Sequence, residues 1–203
     1  MTAFFCIILA YLVGAIPSGL VLSRGSGIDI RTRGSGNIGA TNVARLLGKK
    51  LGALTLLCDI AKGFLPVCLA APLLGRGPAL ALVGAATVLG HMYPVYLRFR
   101  GGKGVATALG LFLYLAPWAV VAALALFLVV VRCTGFVSAG SLAAAALMPV
   151  AVWLFCDTGG EPWRIALACF VGLMIWIKHR ANIVRLLNGT EQSWKKKDEG
   201  KAP

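Results

Sequence analysis

No charged side chain occurs between Thr2 and Ser23, and the chain keeps repeating this pattern. Apolar runs recur at Leu51–Leu74, Ala79–Leu97, Val105–Val131, Phe136–Phe155 and about Trp163–Ile177, with only Asp59, Lys62 and Arg164 charged among them. The first run has 22 residues, and at ~1.5 Å per residue it can cross a hydrocarbon core ~30 Å thick. No basic region precedes it and no small-residue cleavage site follows, so it reads as a span rather than a signal peptide. With 59% apolar and 13% charged residues and a mean hydropathy of +0.83, the chain lacks the charged surface of a soluble domain. It reads as an integral membrane protein. The net charge of +13 would suit nucleic acid, but the basic residues gather in blocks between apolar runs, as topology signals do. Nucleic-acid binding is therefore set aside.

Val105–Val131 is long for one helix and short for two, with Pro117 near its middle. The charge blocks arbitrate. Read as two short spans, it makes seven in all and puts seventeen basic residues on one side, against Arg76 and Arg164 on the other and Lys62 within a span. Read as one span, it leaves a nearly even split. The positive-inside rule selects the first reading. The expected fold is an all-α integral membrane protein of seven transmembrane helices, the fourth and fifth short, with the amino terminus outside and the carboxyl terminus cytoplasmic. Residues 1–192 form one membrane domain. An acidic loop covers Cys156–Pro162, and residues 193–203, with Lys195-Lys196-Lys197, form a disordered basic tail. All the polar, Gly-rich segments then face one compartment. Six cysteines without a C-x-x-C pair read as small hydrophobes.

Three segments carry the chemistry. In the first, Gly34, Gly36 and Gly39 stand among Ser35, Asn37, Thr41, Asn42 and Arg45. The Gly-x-Gly-x-x-Gly match to a dinucleotide fingerprint fails because no strand precedes it. The composition suits a phosphate, through backbone N–H groups, neutral donors and a forked cation, or else a solvated loop. In the second, Arg100-Gly101-Gly102-Lys103-Gly104 opens a helix, which would present N–H groups and an ammonium at its positive end. It lacks the spacing of a Walker A motif. In the third, His179 and Asn182 share a helix face, followed by Arg185 and Glu191. Ile183, Leu186 and Leu187 continue the last span as an interfacial helix. Asn188-Gly189-Thr190 matches a glycosylation acceptor, but a cytoplasmic position disqualifies it. Within the spans, Asp59 and Lys62 can pair at i and i+3, either as a structural salt bridge or to shape a polar cavity. His91 is either a packing histidine or part of a cavity. Neither histidine begins His-x-x-x-x-Asp, and no acidic cluster suits Mg²⁺. Anions would be handled by cations and N–H donors.

Together the segments resemble the signatures of the bacterial acyl-phosphate:glycerol-3-phosphate acyltransferases (PlsY). Gly34–Val43 with Arg45 is similar to the first signature. Gly90-His91 to Pro94 with Phe99–Thr107 is similar to the second, and His179–Glu191 to the third. Asp59-x-x-Lys62-Gly63 also fits the family's second helix. The resemblance implies a multi-pass enzyme of the bacterial inner membrane with its active site facing the cytoplasm. Such an enzyme moves an acyl chain from acyl phosphate to the 1-hydroxyl of glycerol 3-phosphate, giving lysophosphatidic acid and phosphate without metal or cofactor. It implies that Gly101, Gly102, Lys103 and Gly104 take glycerol 3-phosphate. Gly34, Ser35, Gly36, Asn37, Thr41, Asn42 and Arg45 would take acyl phosphate. His179 and Asn182 would orient substrate or the first loop, Arg185 would help bind, and Glu191 would hold the tail, against an arginine. Besides its two substrates the protein's partners are membrane lipids. The expected base is a phosphate oxygen of the donor, with His179 the alternative. The residues alone also fit a small transporter of phosphorylated anions, or a scaffold on anionic lipid.

Overall fold

Prolines and glycines interrupt the apolar runs, and helices occupy what lies between. The computed structural model describes residues 1–155 and 162–194, and every regular element among them is helical. The helices are α1 (Thr2–Gly14), α2 (Ser18–Leu22), α3 (Ala40–Leu47), α4 (Lys49–Leu74), α5 (Pro78–Met92), α6 (Val105–Leu115), α7 (Pro117–Thr134), α8 (Val137–Phe155), α9 (Pro162–Lys178) and α10 (Arg180–Leu187). A 3₁₀ turn, Val95–Leu97, follows α5. The body of the expected acidic loop and the Lys195–Lys197 run lie outside the described residues.

Among the described residues the apolar helices are unequal, with α1 and α6 the shorter ones at 13 and 11 residues. Lys49–Leu74, Pro78–Leu97, Pro117–Thr134 and Val137–Phe155 are long and apolar enough to cross a membrane, and α9 with α10 passes as a fifth span bent by 59°. This is a multi-pass membrane protein. Its outward faces carry exposed Leu57, Leu69, Leu73, Trp118 and Leu173, as a lipid-facing surface requires.

Two expectations need correction. The first run is broken: Pro17 lacks an N–H and disfavours helix at Ile16, so α1 stops at Gly14 and α2 restarts at Ser18. The fifth helix is not short. The break falls at Ala116, with Pro117 as the first residue of α7, which leaves α6 only 11 residues and gives α7 a full 18.

The short helices are held by backbone proximity. Helix α1 packs on α5 and α6 packs on α4. At Gly14 a methyl would overlap Thr87 O, and at Gly90 it would overlap Tyr11 O. Gly63 stands in the same relation to Thr107 O, and Gly110 to Ile60 O. Each pair of helices thus meets through two reciprocal glycines, the close approach that replaces hydrophobic drive between helices in lipid. The end of α5 is fixed from both sides. Tyr11 Oη donates to Tyr93 O at 2.7 Å, and Lys178 Nζ donates to Met92 O at 3.0 Å while lying 4.6 Å from the centre of the Tyr93 ring. The loop that follows therefore leaves from a fixed point.

Candidate active site

The first polar loop is ordered by its own small core. Ile30 and Val43 are fully buried and Ile38 nearly so, with Leu46, Leu47 and Leu51 packed around them. Asn42, 1% exposed, spends its amide on the backbone: Nδ2 donates to Ile30 O (2.9 Å) and Arg33 O (3.2 Å), and Oδ1 accepts from Ser35 N (2.9 Å). A solvated loop would leave those groups to water. Gly34 has φ of +61°, and a methyl there would overlap Asn42 Oδ1, so only glycine fits. Asn42 and Gly36, expected among the substrate ligands, are not on the cavity wall. Asn42 ties the loop down, and Gly36 turns it with φ of +68°. Gly34, Ser35, Asn37, Thr41 and Arg45 do face the cavity. Outside it, Arg31 is committed to Asp29, whose carboxyl its hydrogen bonds hold down at about 2.

The second loop differs from expectation in its donors. Gly101 N–H donates to Met92 O (3.2 Å) and Gly102 N–H to His91 O (3.1 Å), so both are spent on the end of α5 rather than left for an anion. Neither glycine lines the cavity. Their role is fit, because methyls at either position would overlap His91 or Pro94. Lys103 and Gly104 reach the cavity, at the start of α6.

The third segment closes the far side. His179, 2% exposed, caps α10, and its Nδ1 lies 2.8 Å from Ile175 O. A carbonyl only accepts, so Nδ1 carries the proton and Nε2 is left as an acceptor. Burial, and then the Lys103 cation, push its pKa down to about 4, so the ring is neutral at physiological pH. Asn182 bridges Lys103 and Glu191: Oδ1 accepts from Lys103 Nζ, and Nδ2 donates to Glu191 Oε1 (2.6 Å). Its hydrogen bonds thus run to the second loop and to Glu191. Glu191 also accepts from Ser138 Oγ (2.8 Å) and Arg185 Nε (2.7 Å). Burial opposes its ionisation, but these three donors together hold its pKa below the ordinary carboxylate value. Beyond it, Trp194 N–H donates to Gly135 O at 2.7 Å, so the strap stays hydrogen-bonded two residues into the segment 193–203 expected as the tail.

Between these segments lies a cavity of about 800 Å³. Ser35, Arg45, Lys103, His179, Asn182, Arg185 and Glu191 line it, as do Asp59 and His91. Along each contributing helix the wall then turns apolar. It runs from Gly104 to Phe112 on α6, from Ser138 to Met148 on α8 and from His179 back to Ala168 on α9, with Val120 to Val131 on α7. Burial brings the Lys103 ammonium down to about 8; Glu191 opposes this, and the Arg185 and Arg45 guanidinia add to it. Three cations from three elements thus converge where the apolar wall begins. No group of three His, Cys, Asp or Glu placed to hold a metal occurs among the described residues. The sequence reading missed Ser138, Lys49, Gln192 and Trp194 on the wall. Ser138 and Ser141, three apart in an apolar run, were the available signal for a buried polar face on α8.

The cavity joins a cation cluster to an apolar sleeve, a combination whose chemistry suits a molecule with an anionic head and an apolar tail. Comparison with known proteins narrows the class. The family model described as glycerol-3-phosphate acyltransferase matches residues 4–189. Proteins of that name from Desulfotalea psychrophila and Syntrophotalea carbinolica are 56% and 52% identical over 194 and 198 residues. These alignments cover 94% and 96% of this chain and 97% and 100% of theirs. The crystal structure of PlsY (YgiH), an integral membrane glycerol 3-phosphate acyltransferase, in its glycerol 3-phosphate form, superposes with a TM-score of 0.91 at 39% identity, covering 96% of each chain. Its lysophosphatidic acid form superposes at 0.88, covering 95% of each. The chain belongs to the glycerol-3-phosphate acyltransferase family.

Proposed function

We propose that the protein transfers a fatty acyl chain from acyl phosphate to the 1-hydroxyl of sn-glycerol 3-phosphate, releasing lysophosphatidic acid and phosphate, as the first acylation of bacterial phospholipid synthesis. The observation that carries this is the cavity itself, with Arg45, Lys103 and Arg185 at the head of an apolar sleeve. The acceptor oxygen attacks the acyl carbonyl carbon, the C–O bond to phosphate breaks, and the acceptor's proton leaves on the departing phosphate. Acyl phosphates are activated, so holding two anions side by side and neutralising them supplies most of the acceleration.

In this reading Arg45, with Ser35, Asn37 and Thr41, holds acyl phosphate and positions its carbonyl. Lys103, at the mouth of α6, holds glycerol 3-phosphate, with Arg185 beside it. Asn182 fixes Lys103, and the neutral His179 orients the acceptor hydroxyl through Nε2. Asn42, Gly36, Gly101 and Gly102 act one step back, by shaping the loops. The seven apolar helices are seven transmembrane segments with the amino terminus outside. The cavity opens to the cytoplasm through the inner membrane's basic face, and the folded unit is a single membrane domain.

The test is phosphate release by purified, lipid-reconstituted protein given palmitoyl phosphate and glycerol 3-phosphate with EDTA present. Release that needs both substrates and is lost in Ser35→Ala supports the transfer. Unchanged glycerol 3-phosphate accumulating inside vesicles, with no organic-extractable product, would make the protein an anion transporter.

A further inference from the structure

Lys62, Asp59 and His91 have no part in the chemistry above, yet they are 6%, 2% and 5% exposed. Burying an ion pair away from water is expensive. What the three residues touch gives the reason. Lys62 Nζ lies 2.8 Å from Asp59 Oδ1 and donates to Ile16 O at 2.8 Å. Ile16 O sits at the break between α1 and α2, just before Pro17. Helix α2 in turn meets the first loop directly, since a methyl on Gly19 would overlap Ile38 O. On the other side, His91 Nδ1 is 3.7 Å from Asp59 Oδ1. The same ring lies under the second loop, where the three atoms nearest a methyl on Gly102 all belong to the imidazole. The His91 carbonyl holds Gly102 N–H.

We propose that Lys62, Asp59 and His91 form a brace that sets the spacing between the two substrate loops across the cavity. They are positioning residues: one end clamps the backbone that leads into the first loop, the other supports the glycines that carry Lys103. A salt bridge serving only to insert α4 would contact helices, whereas both ends here contact the backbone of loops or of the break leading to them. The inference rests on the reading that these loops hold the two substrates.

The test uses the full chain reconstituted in lipid, with the melting temperature of each variant recorded beside kcat and both KM values. Gly102→Ala should raise the KM for glycerol 3-phosphate about tenfold, the equivalent of one weakened charge-assisted hydrogen bond at Lys103. His91→Ala should raise it as well, by removing the support. The double variant should turn over better than Gly102→Ala alone, since deleting the ring makes room for the methyl. Lys62→Met should raise the KM for acyl phosphate through the first loop. Adding Asp59→Asn should restore melting temperature but not that KM. Losses that multiply in the Gly102–His91 double variant overturn the brace, as do variants that lower melting temperature while keeping kcat and both KM values. Those results would leave wild-type turnover, and so the acyltransferase reading, intact. An inactive wild type overturns both.

Discussion

Replacing Lys103 with arginine isolates the charge that the proposed site depends on. Burial brings this ammonium from 10.5 down to about 8, so it titrates within reach of working pH. From that value its protonated fraction falls from about 0.91 at pH 7 to about 0.09 at pH 9, so a step that needs the cation slows roughly tenfold over that window. The acceptor's phosphate does not confuse the window, because its second ionisation is complete below it, at a pKa of about 6. The assay is the initial rate of lysophosphatidic acid formation from labelled glycerol 3-phosphate, well below its KM, from pH 6.5 to 9.5. Spontaneous hydrolysis of acyl phosphate is subtracted. Under these conditions kcat/KM should show a falling limb near pH 8. At saturation a bound dianion stabilises the ammonium, and the limb in kcat should move to higher pH. Lys103→Arg keeps its charge throughout and should lose the limb. Glu191→Gln removes the one carboxylate that supports the ammonium, so its limb should fall below pH 8. A wild-type profile flat to pH 9.5, or an arginine variant with the same limb, would refute the assignment of the cation to Lys103.

Three further outcomes follow from the packing and hydrogen bonds. Gly63→Ala or Gly110→Ala pushes a methyl into the backbone of the facing helix, which should cost about 1–3 kcal/mol and lower the melting temperature in lipid, with loss of activity following unfolding. Asn42→Ala leaves three backbone groups of the first loop without their partner, a cost of about 2 kcal/mol. It should expose residues 30–36 to faster hydrogen exchange and raise the KM for acyl phosphate. Glu191→Ala releases the strap from Ser138, Asn182 and Arg185 and should destabilise by about 3 kcal/mol at neutral pH. The folded carboxyl titrates below 4.5, so its contribution is complete above that pH and disappears as pH falls through the folded value. Melting curves of wild type and variant should therefore converge in acid.

The apolar helices were legible because each is a long run with few charges, and the bend at His179 was foreshadowed by the apolar spacing of Ile183, Leu186 and Leu187. The break at Pro17 was visible as a proline but was read through, because charge gaps alone do not register a missing N–H. Ser35, Arg45, Lys103, His179 and Asn182 were picked out by residue type and order, and the fold gathers all five on one cavity. What those residues bond to could not be read. Lys103 and Asn182 are 79 positions apart, and the Asn182 amide meets Glu191 as well only because the segment after α10 lies against Ser138 of α8. Gly101 and Gly102 looked like anion donors because a glycine-rich turn before a helix usually exposes its N–H groups. Here the carbonyls of His91 and Met92 claim them, a contact that depends on where α5 ends.

The two short helices have a consequence for the bilayer around them. At ~1.5 Å per residue, the 13 residues of α1 and the 11 of α6 reach only about 20 and 16 Å, well short of a hydrocarbon thickness of ~30 Å. Glycine contacts bind each to a longer neighbour, so the mismatch cannot be relieved by tilting one helix alone. In the seven-span arrangement proposed above, it would be met by thinning of the membrane or by a polar surface that dips below the headgroups. Lys103 stands where α6 begins, on that lowered shore. In the proposed reaction a water-soluble acceptor would then descend to the depth at which the lipid donor carries its reactive carbonyl, and the thickness of the surrounding bilayer would become a control on how easily the two meet.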